Sequence, residues 1–90
     1  NVYLYVTNRE NHPDPEIFVW PTLVSSDFNV ALNDERNYNL LLFNASGKLI
    51  KEIRNCQYKT NLNISDLSGG VYILNVSVNN FRKSVKLIKN

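Results

Sequence analysis

The sequence is poor in the residues from which most active sites are made. It holds one histidine, His12, and one cysteine, Cys56. A lone cysteine excludes an internal disulfide and is no marker of redox compartment. No two Cys/His residues stand at zinc-ligand spacing, so no structural zinc site is expected. A histidine in a serine triad must be held rigidly beside its nucleophile. His12 lies between Asn11 and Pro13, in a segment that offers no such support. Cys56 sits in a polar loop with Arg54, Asn55 and Gln57. Without a histidine partner the thiol reads as inert. Asp34-Glu35 and the Asp14/Glu16 pair lack the alternating ligands of a calcium loop and read as solvated turns. No catalytic residue, metal or cofactor is expected.

Long apolar runs are missing as well. The longest is the five-residue stretch 2–6 (VYLYV), followed by four-residue stretches such as 40–43 (LLLF) and 71–74 (VYIL), against about twenty residues for a membrane-spanning helix. No segment has the basic and then apolar pattern of a signal peptide. Methionine is absent, the first position included, as expected of a fragment or a mature form. Helical periodicity over eleven residues or more, internal repeats and low-complexity tracts are also lacking.

What is present is a modest core in a β pattern. Hydrophobic residues make up 43% of the chain, with five Tyr, four Phe and one Trp. That is too apolar for general disorder. The 90 residues make one domain, which buries roughly 60–65% of its unfolded surface. Net charge is only +2 but unevenly spread. Residues 1–35 hold one basic and six acidic side chains, and residues 36–90 nine basic and two acidic.

The chain is organised around residues 61–78 (NLNISDLSGGVYILNVSV). Leu62 and Ile64 alternate with polar residues before a turn at 66–70, and Tyr72, Leu74, Val76 and Val78 alternate after it. Such period-two spacing belongs to half-buried strands. Asp66 and Ser68 suit a turn, and Gly69 and Gly70 permit positive φ. The spacing predicts a hairpin here, with 71–78 as the central strand. Further strands are predicted at 1–7, 17–20, 28–32, 38–43, 48–53 and 81–88. The turn at Asn44-Ala45-Ser46-Gly47 and the Asn79-Asn80 pair are of hairpin type. Residues 55–59 read as a loop. The pattern predicts an all-β, antiparallel sandwich of about seven strands.

One stretch reads as a linker: Asn8, Arg9, Glu10, Asn11, His12, Pro13, Asp14, Pro15 and Glu16. It has no apolar residue except its prolines, which disfavour helix and stiffen the backbone. Residues 1–16 are therefore expected to be the end of a preceding domain plus a linker, and 17–90 the domain proper. The segment 1–7 (NVYLYVT) is apolar on both faces, and Tyr3, Tyr5 and Trp20 call for a partner surface. Tyr38, Tyr72, Phe28 and Phe81 fall on alternating faces that the core needs, which argues against a sugar-binding platform. Asn44, Asn63 and Asn75 each begin an Asn-x-Ser sequon. Fifteen Asn and ten Ser/Thr give about 1.7 such motifs by chance, so three carry no inference of glycosylation.

Four features, in order, resemble the type A C-terminal sorting domain of the type IX secretion system of Bacteroidota. Residues 18–21 (FVWP) with 28–30 (FNV) resemble its opening and first paired strand, although Pro21-Thr22-Leu23 stands where the family usually has Pro-Asn-Pro. Residues 38–50 (YNLLLFNASGKLI) resemble its strand, Gly-Lys turn, strand unit. Residues 64–74 (ISDLSGGVYIL) resemble its Leu-Gly-aromatic hairpin, and 83–90 (KSVKLIKN) its lysine-bearing final strand. The resemblance implies an immunoglobulin-like sandwich and a sorting motif at Pro21, Gly47, Lys48, Leu67, Gly70, Tyr72, Lys83, Lys86 and Lys89. It further implies recognition by the outer-membrane translocon during periplasmic transit. Cleavage in the 8–16 linker by a sortase-like protease and attachment of the passenger at the cell surface would follow.

Read without the resemblance, the lysines of the last strand protect a solvated edge against aggregation. A nucleic-acid module would carry a larger basic excess and exposed stacking aromatics. Two other functions fit the same pattern. One is an immunoglobulin-like adhesion or carbohydrate-binding module; the other is an uncleaved C-terminal domain of the secretion machinery itself.

Overall fold

The computed structural model describes residues 14–90. The strand expected at 1–7, and linker positions 8–13 with His12, lie outside the described residues.

Among the described residues eight strands follow in order. They are β1 (Ile17–Trp20), β2 (Leu23–Val24), β3 (Asp27–Leu32), β4 (Tyr38–Asn44), β5 (Leu49–Cys56), β6 (Lys59–Asn63), β7 (Gly70–Val78) and β8 (Phe81–Lys89). A three-stranded sheet has the order β1-β3-β6, and a five-stranded sheet the order β2-β8-β7-β4-β5. All pairings are antiparallel except β2 with β8. The two sheets pack as the expected immunoglobulin-like sandwich, with β7 at the centre of the larger one.

Alternation builds the core. Phe28, Val30 and Leu32 of β3 and Leu62 of β6 meet Tyr38, Leu40 and Leu42 of β4 and Tyr72, Leu74, Val76 and Val78 of β7. Every second residue along these strands is buried while its neighbours are not. Burying a large apolar side chain contributes about 1.5–3 kcal/mol, so this double row is the main source of stability. Tyr38 is buried to its tip, where protein groups satisfy its hydroxyl: it lies 2.7 Å from Thr60 Oγ1 and 3.2 Å from the Tyr58 carbonyl.

Five expectations change. The 61–78 unit is not a hairpin, because β6 and β7 lie in different sheets. Both strands turn their apolar face to one core from opposite sides, so the 64–69 connection must arch over the end of the sandwich. Cys56 is not in a loop but buried at the end of β5. β5 and β6 run further than expected and leave only 57–58 between them, with Asn55 and Tyr58 taking the positive φ that this tight passage demands. The two-residue β2 was not foreseen, being too short to show a period. Finally, the linker has an anchor. Pro15 is buried, the Glu16 amide donates to Asn33 Oδ1 at 3.0 Å, and the Asn33 amide donates to the Glu16 carbonyl at 3.2 Å.

Candidate functional site

The register places most of the expected motif at one end of the sandwich. β7 begins at Gly70, opposite Lys89 of β8, and Tyr72 lies opposite Leu87. Tyr72 also lies opposite Asn44, where β4 enters the Gly47-Lys48 turn. A shallow cleft joins that turn to the 68–72 segment. β2 reaches the same end, pairing Leu23 with Ile88 and Val24 with Lys89. Pro21, Gly47, Lys48, Leu67, Gly70, Tyr72 and Lys89 are thus gathered there from four separate stretches of sequence.

Each turn is fixed by local chemistry. Asn44 Oδ1 accepts from the Ser46 amide at 3.0 Å, the Ser46 hydroxyl at 2.8 Å and the Lys48 amide at 2.9 Å. Gly47 completes that turn at φ +89°. Asn63 Oδ1 binds the Ser65 amide and hydroxyl in the same way, at 3.0 and 2.6 Å. Two of the three sequons are therefore side-chain-capped turns of the kind short Asn side chains favour. Tyr72 donates its hydroxyl to the Ser68 carbonyl at 2.7 Å, and Leu67 packs against the core. The paired glycines have different tasks. Gly70 takes φ +151° in open space, so its need is conformational. At Gly69 a Cβ would stand 3.2 Å from the Asn90 carbonyl carbon, so its need is room.

That closeness seats the last residue. The Asn90 amide donates to the Val24 carbonyl at 2.9 Å, its side-chain amide reaches Ser25 Oγ at 3.2 Å, and the Ile88 amide donates to the Thr22 carbonyl at 2.8 Å. The C-terminal strand is thereby stitched to the loop after Pro21, and it is not the bare edge that the sequence suggests.

The three lysines are not gathered. Along β8, Phe81, Val85 and Leu87 turn inward, while Arg82, Ser84, Lys86 and Ile88 turn out. Lys83 shares the inward face but stands at an open margin, where its Nζ donates to the Ile17 carbonyl at 3.4 Å. Lys86 points outward, and half-buried Lys89 donates to the Asn90 carbonyl at 3.0 Å. A row that sequence reasoning missed lies beside Lys86. Exposed Leu23, Ile88 and Val71 sit side by side across three strands, a signal hidden because its members are distant in sequence.

Among the described residues no three His, Cys, Asp or Glu side chains gather as a metal site. Two hydrogen-bonded side chains, Asn61 and then Ser26, hold the exposed Asp27 carboxylate below its usual pKa, as an acceptor pinned at a strand end. No helix among the described residues is long and apolar enough to cross a membrane.

A family model for the secretion system C-terminal sorting domain matches residues 18–90. The chain belongs to that family. No curated protein matches it significantly. The match starts within β1 and runs through β8. The sorting domain is a C-terminal signal for type IX secretion. Its context is a passenger exported to the cell surface or released, a role that suggests recognition rather than catalysis.

Proposed function

We propose that the signal is read from the end of the sandwich where β2, the Gly47-Lys48 turn, the 67–72 segment and the end of β8 converge. The outer-membrane translocon is the reader, and it acts while the folded domain is in the periplasm. Convergence carries this reading: most of the motif residues, spread over the chain, meet at one end of the sandwich, with exposed Leu23, Ile88 and Val71 for apolar contact and Lys86 for charge. Residues 17–90 are the sorting domain, and residues 1–16 the end of what precedes it plus a tether. Within the tether, 8–14 is the segment for a sortase-like protease to cut, since Pro15 and Glu16 are held by the fold. The domain itself performs no chemistry.

The test fuses residues 8–90 to a reporter bearing a signal peptide, in a host with type IX secretion. It compares the wild-type domain with Lys83→Gln/Lys86→Gln/Lys89→Gln. Charge changes on exposed side chains cost within about 0.5 kcal/mol, so the triple variant should melt normally. Its reporter should stay in the periplasm while the wild-type reporter reaches the surface. Equal export of both would remove the lysines from the signal, and export of neither would sink the sorting reading for this segment.

A further inference from the structure

Away from the sorting end, Lys83 and Lys86 line a second feature. A groove of about 720 Å³ runs between the margins of the two sheets, with β1 on one side and Lys83, Ser84, Val85 and Lys86 of β8 on the other. Ile17, Val19 and Val85 line it and pack on the core, which makes its floor apolar. Among the described residues no strand covers the β8 margin ahead of Ile88.

The pairing phase shows which backbone groups of β8 face the groove. β7 and β8 are joined by the Asn79-Asn80 turn, so Val78 and Phe81 form a hydrogen-bonded pair, and every second pair after it does too. The amides and carbonyls of Phe81, Lys83, Val85 and Leu87 therefore point to β7, and those of Arg82, Ser84 and Lys86 point away from it. The next residue in that outward series is Ile88, and its amide donates to the Thr22 carbonyl at 2.8 Å. The edge thus already accepts one strand, but β2 pairs only with Ile88 and Lys89. An amide and a carbonyl from each of Arg82, Ser84 and Lys86 are left over, an edge with room for about five residues. On the facing margin the Ile17 carbonyl is already taken by Lys83 Nζ at 3.4 Å, so β8 offers the freer edge.

That edge is basic. Arg82 and Lys86 point outward and Lys83 toward the groove, and among the described residues none of the three has an acidic partner. No acidic side chain lines the groove. Like charges set directly opposite each other destabilise a strand pair. Two copies joined edge to edge about Ser84 would set Arg82 against Lys86 twice, so the edge repels its own kind. The same charges select an acidic strand.

We propose that the open edge of β8 captures an extended acidic segment of another protein by strand addition. The alternation of β8 dictates the pattern of that segment. Its residues opposite Arg82 and Lys86 share their outward face and carry carboxylates. Those opposite Lys83 and Val85 turn into the groove and are apolar, covering Val19 and the aliphatic stem of Lys83. The order is acidic, apolar, polar, apolar, acidic. Capture at this edge is independent of recognition at the sorting end.

The test titrates the 90-residue chain with the peptide GSEVTVESG, whose palindromic core fits the edge in either direction. The control peptide, GSKVTVKSG, carries Lys at both Glu positions. Amide spectra and hydrogen exchange are read with the solution mass. The acidic peptide should shift and protect the Ser84 and Lys86 amides and bind less well as salt is added; the basic one should bind severalfold more weakly. Ser84→Pro removes the central edge amide and spares the β7–β8 ladder, since proline is tolerated where an edge N–H faces outward. It should abolish capture at an unchanged melting temperature. Arg82→Gln/Lys86→Gln touches no backbone bond and should weaken capture severalfold, which keeps the test decisive where the proline variant unfolds. Equal binding of the two peptides, binding of neither, or shifts confined to other strands would overturn the proposal. So would Ser84 and Lys86 amides already protected without peptide. With a dimer mass a second copy would be the occupant, and with a monomer mass the chain would cover its own edge.

Discussion

Leu87→Ala on the C-terminal strand tests the packing most sharply, because its neighbour Ile88 provides the control. Leu87 is 0% exposed and Ile88 45% exposed, on opposite faces of β8. Truncating Leu87 removes about 2.4 kcal/mol of transfer free energy, at about 0.8 kcal/mol per buried carbon. Tyr72 and the close-packed β7 leave little scope for collapse, so a cavity term adds to this, within the usual range of about 2–5 kcal/mol. About 3 kcal/mol is a large part of the 5–15 kcal/mol that typically holds a domain together. In a domain of this size it lowers the melting temperature by roughly 12–24 °C. Ile88→Ala should cost about 1 kcal/mol or less, because the side chain keeps much of its contact with water. Urea titrations of wild type, Leu87→Ala and Ile88→Ala, fitted with a common slope, give both numbers. An Ile88→Ala loss equal to that of Leu87→Ala would refute the register of β8 on which the sorting surface rests.

Gly70→Val should cost about 1–3 kcal/mol through backbone strain, and Gly69→Val should also weaken the seating of Asn90; an unchanged urea midpoint for both would mean that the turn is misread. Trypsin should cut first after Arg9 and leave a folded fragment that retains residues 14–90, as mass spectrometry and circular dichroism would report. A first cut within 38–88 would contradict the fold. Burial pushes the Tyr38 hydroxyl above its ordinary pKa of 10.0. The folded state therefore keeps this proton to higher pH than the unfolded state. Its contribution is complete below about pH 10 and fades as pH rises through the folded value. Urea midpoints at about pH 8 and about pH 10.5 should fall for wild type and fall less for Tyr38→Phe; parallel falls would dismiss Tyr38 as the cause.

The strands with clean alternation, β3, β4 and β7, were legible because period two is a local property and their inward residues fill one core. The division of strands between sheets was not. The 61–78 stretch reads as a hairpin since a short polar turn with two glycines serves a hairpin and an arch equally well. The buried end of the linker was hidden by composition: Pro15 is apolar enough to bury, yet proline is what marks a loop. The Gly47-Lys48 turn and the 67–72 segment were visible as motifs, but their meeting beside Asn90 depends on contacts between residues far apart in sequence. The lysines were visible and their spread over two faces was too, since positions 83 and 86 differ in parity.

The short parallel pairing of β2 with β8 has a mechanical consequence. The chain enters at Pro15, beside the Asn79-Asn80 turn, and leaves at Asn90, at the opposite end of β8. Those ends are separated by about the length of β8, roughly 30 Å at about 3.3 Å per residue. Tension between a gripped C-terminus and a dragging passenger pulls β1 and β2 one way and β8 the other. The bonds from Ile88 to Thr22 and from Asn90 to Val24 lie across that line of force. They are loaded in shear and must yield together, whereas a hairpin pulled from its open end unzips one rung at a time. Two residues of β2 thus act as a lock along the direction in which a passenger would haul on its tag.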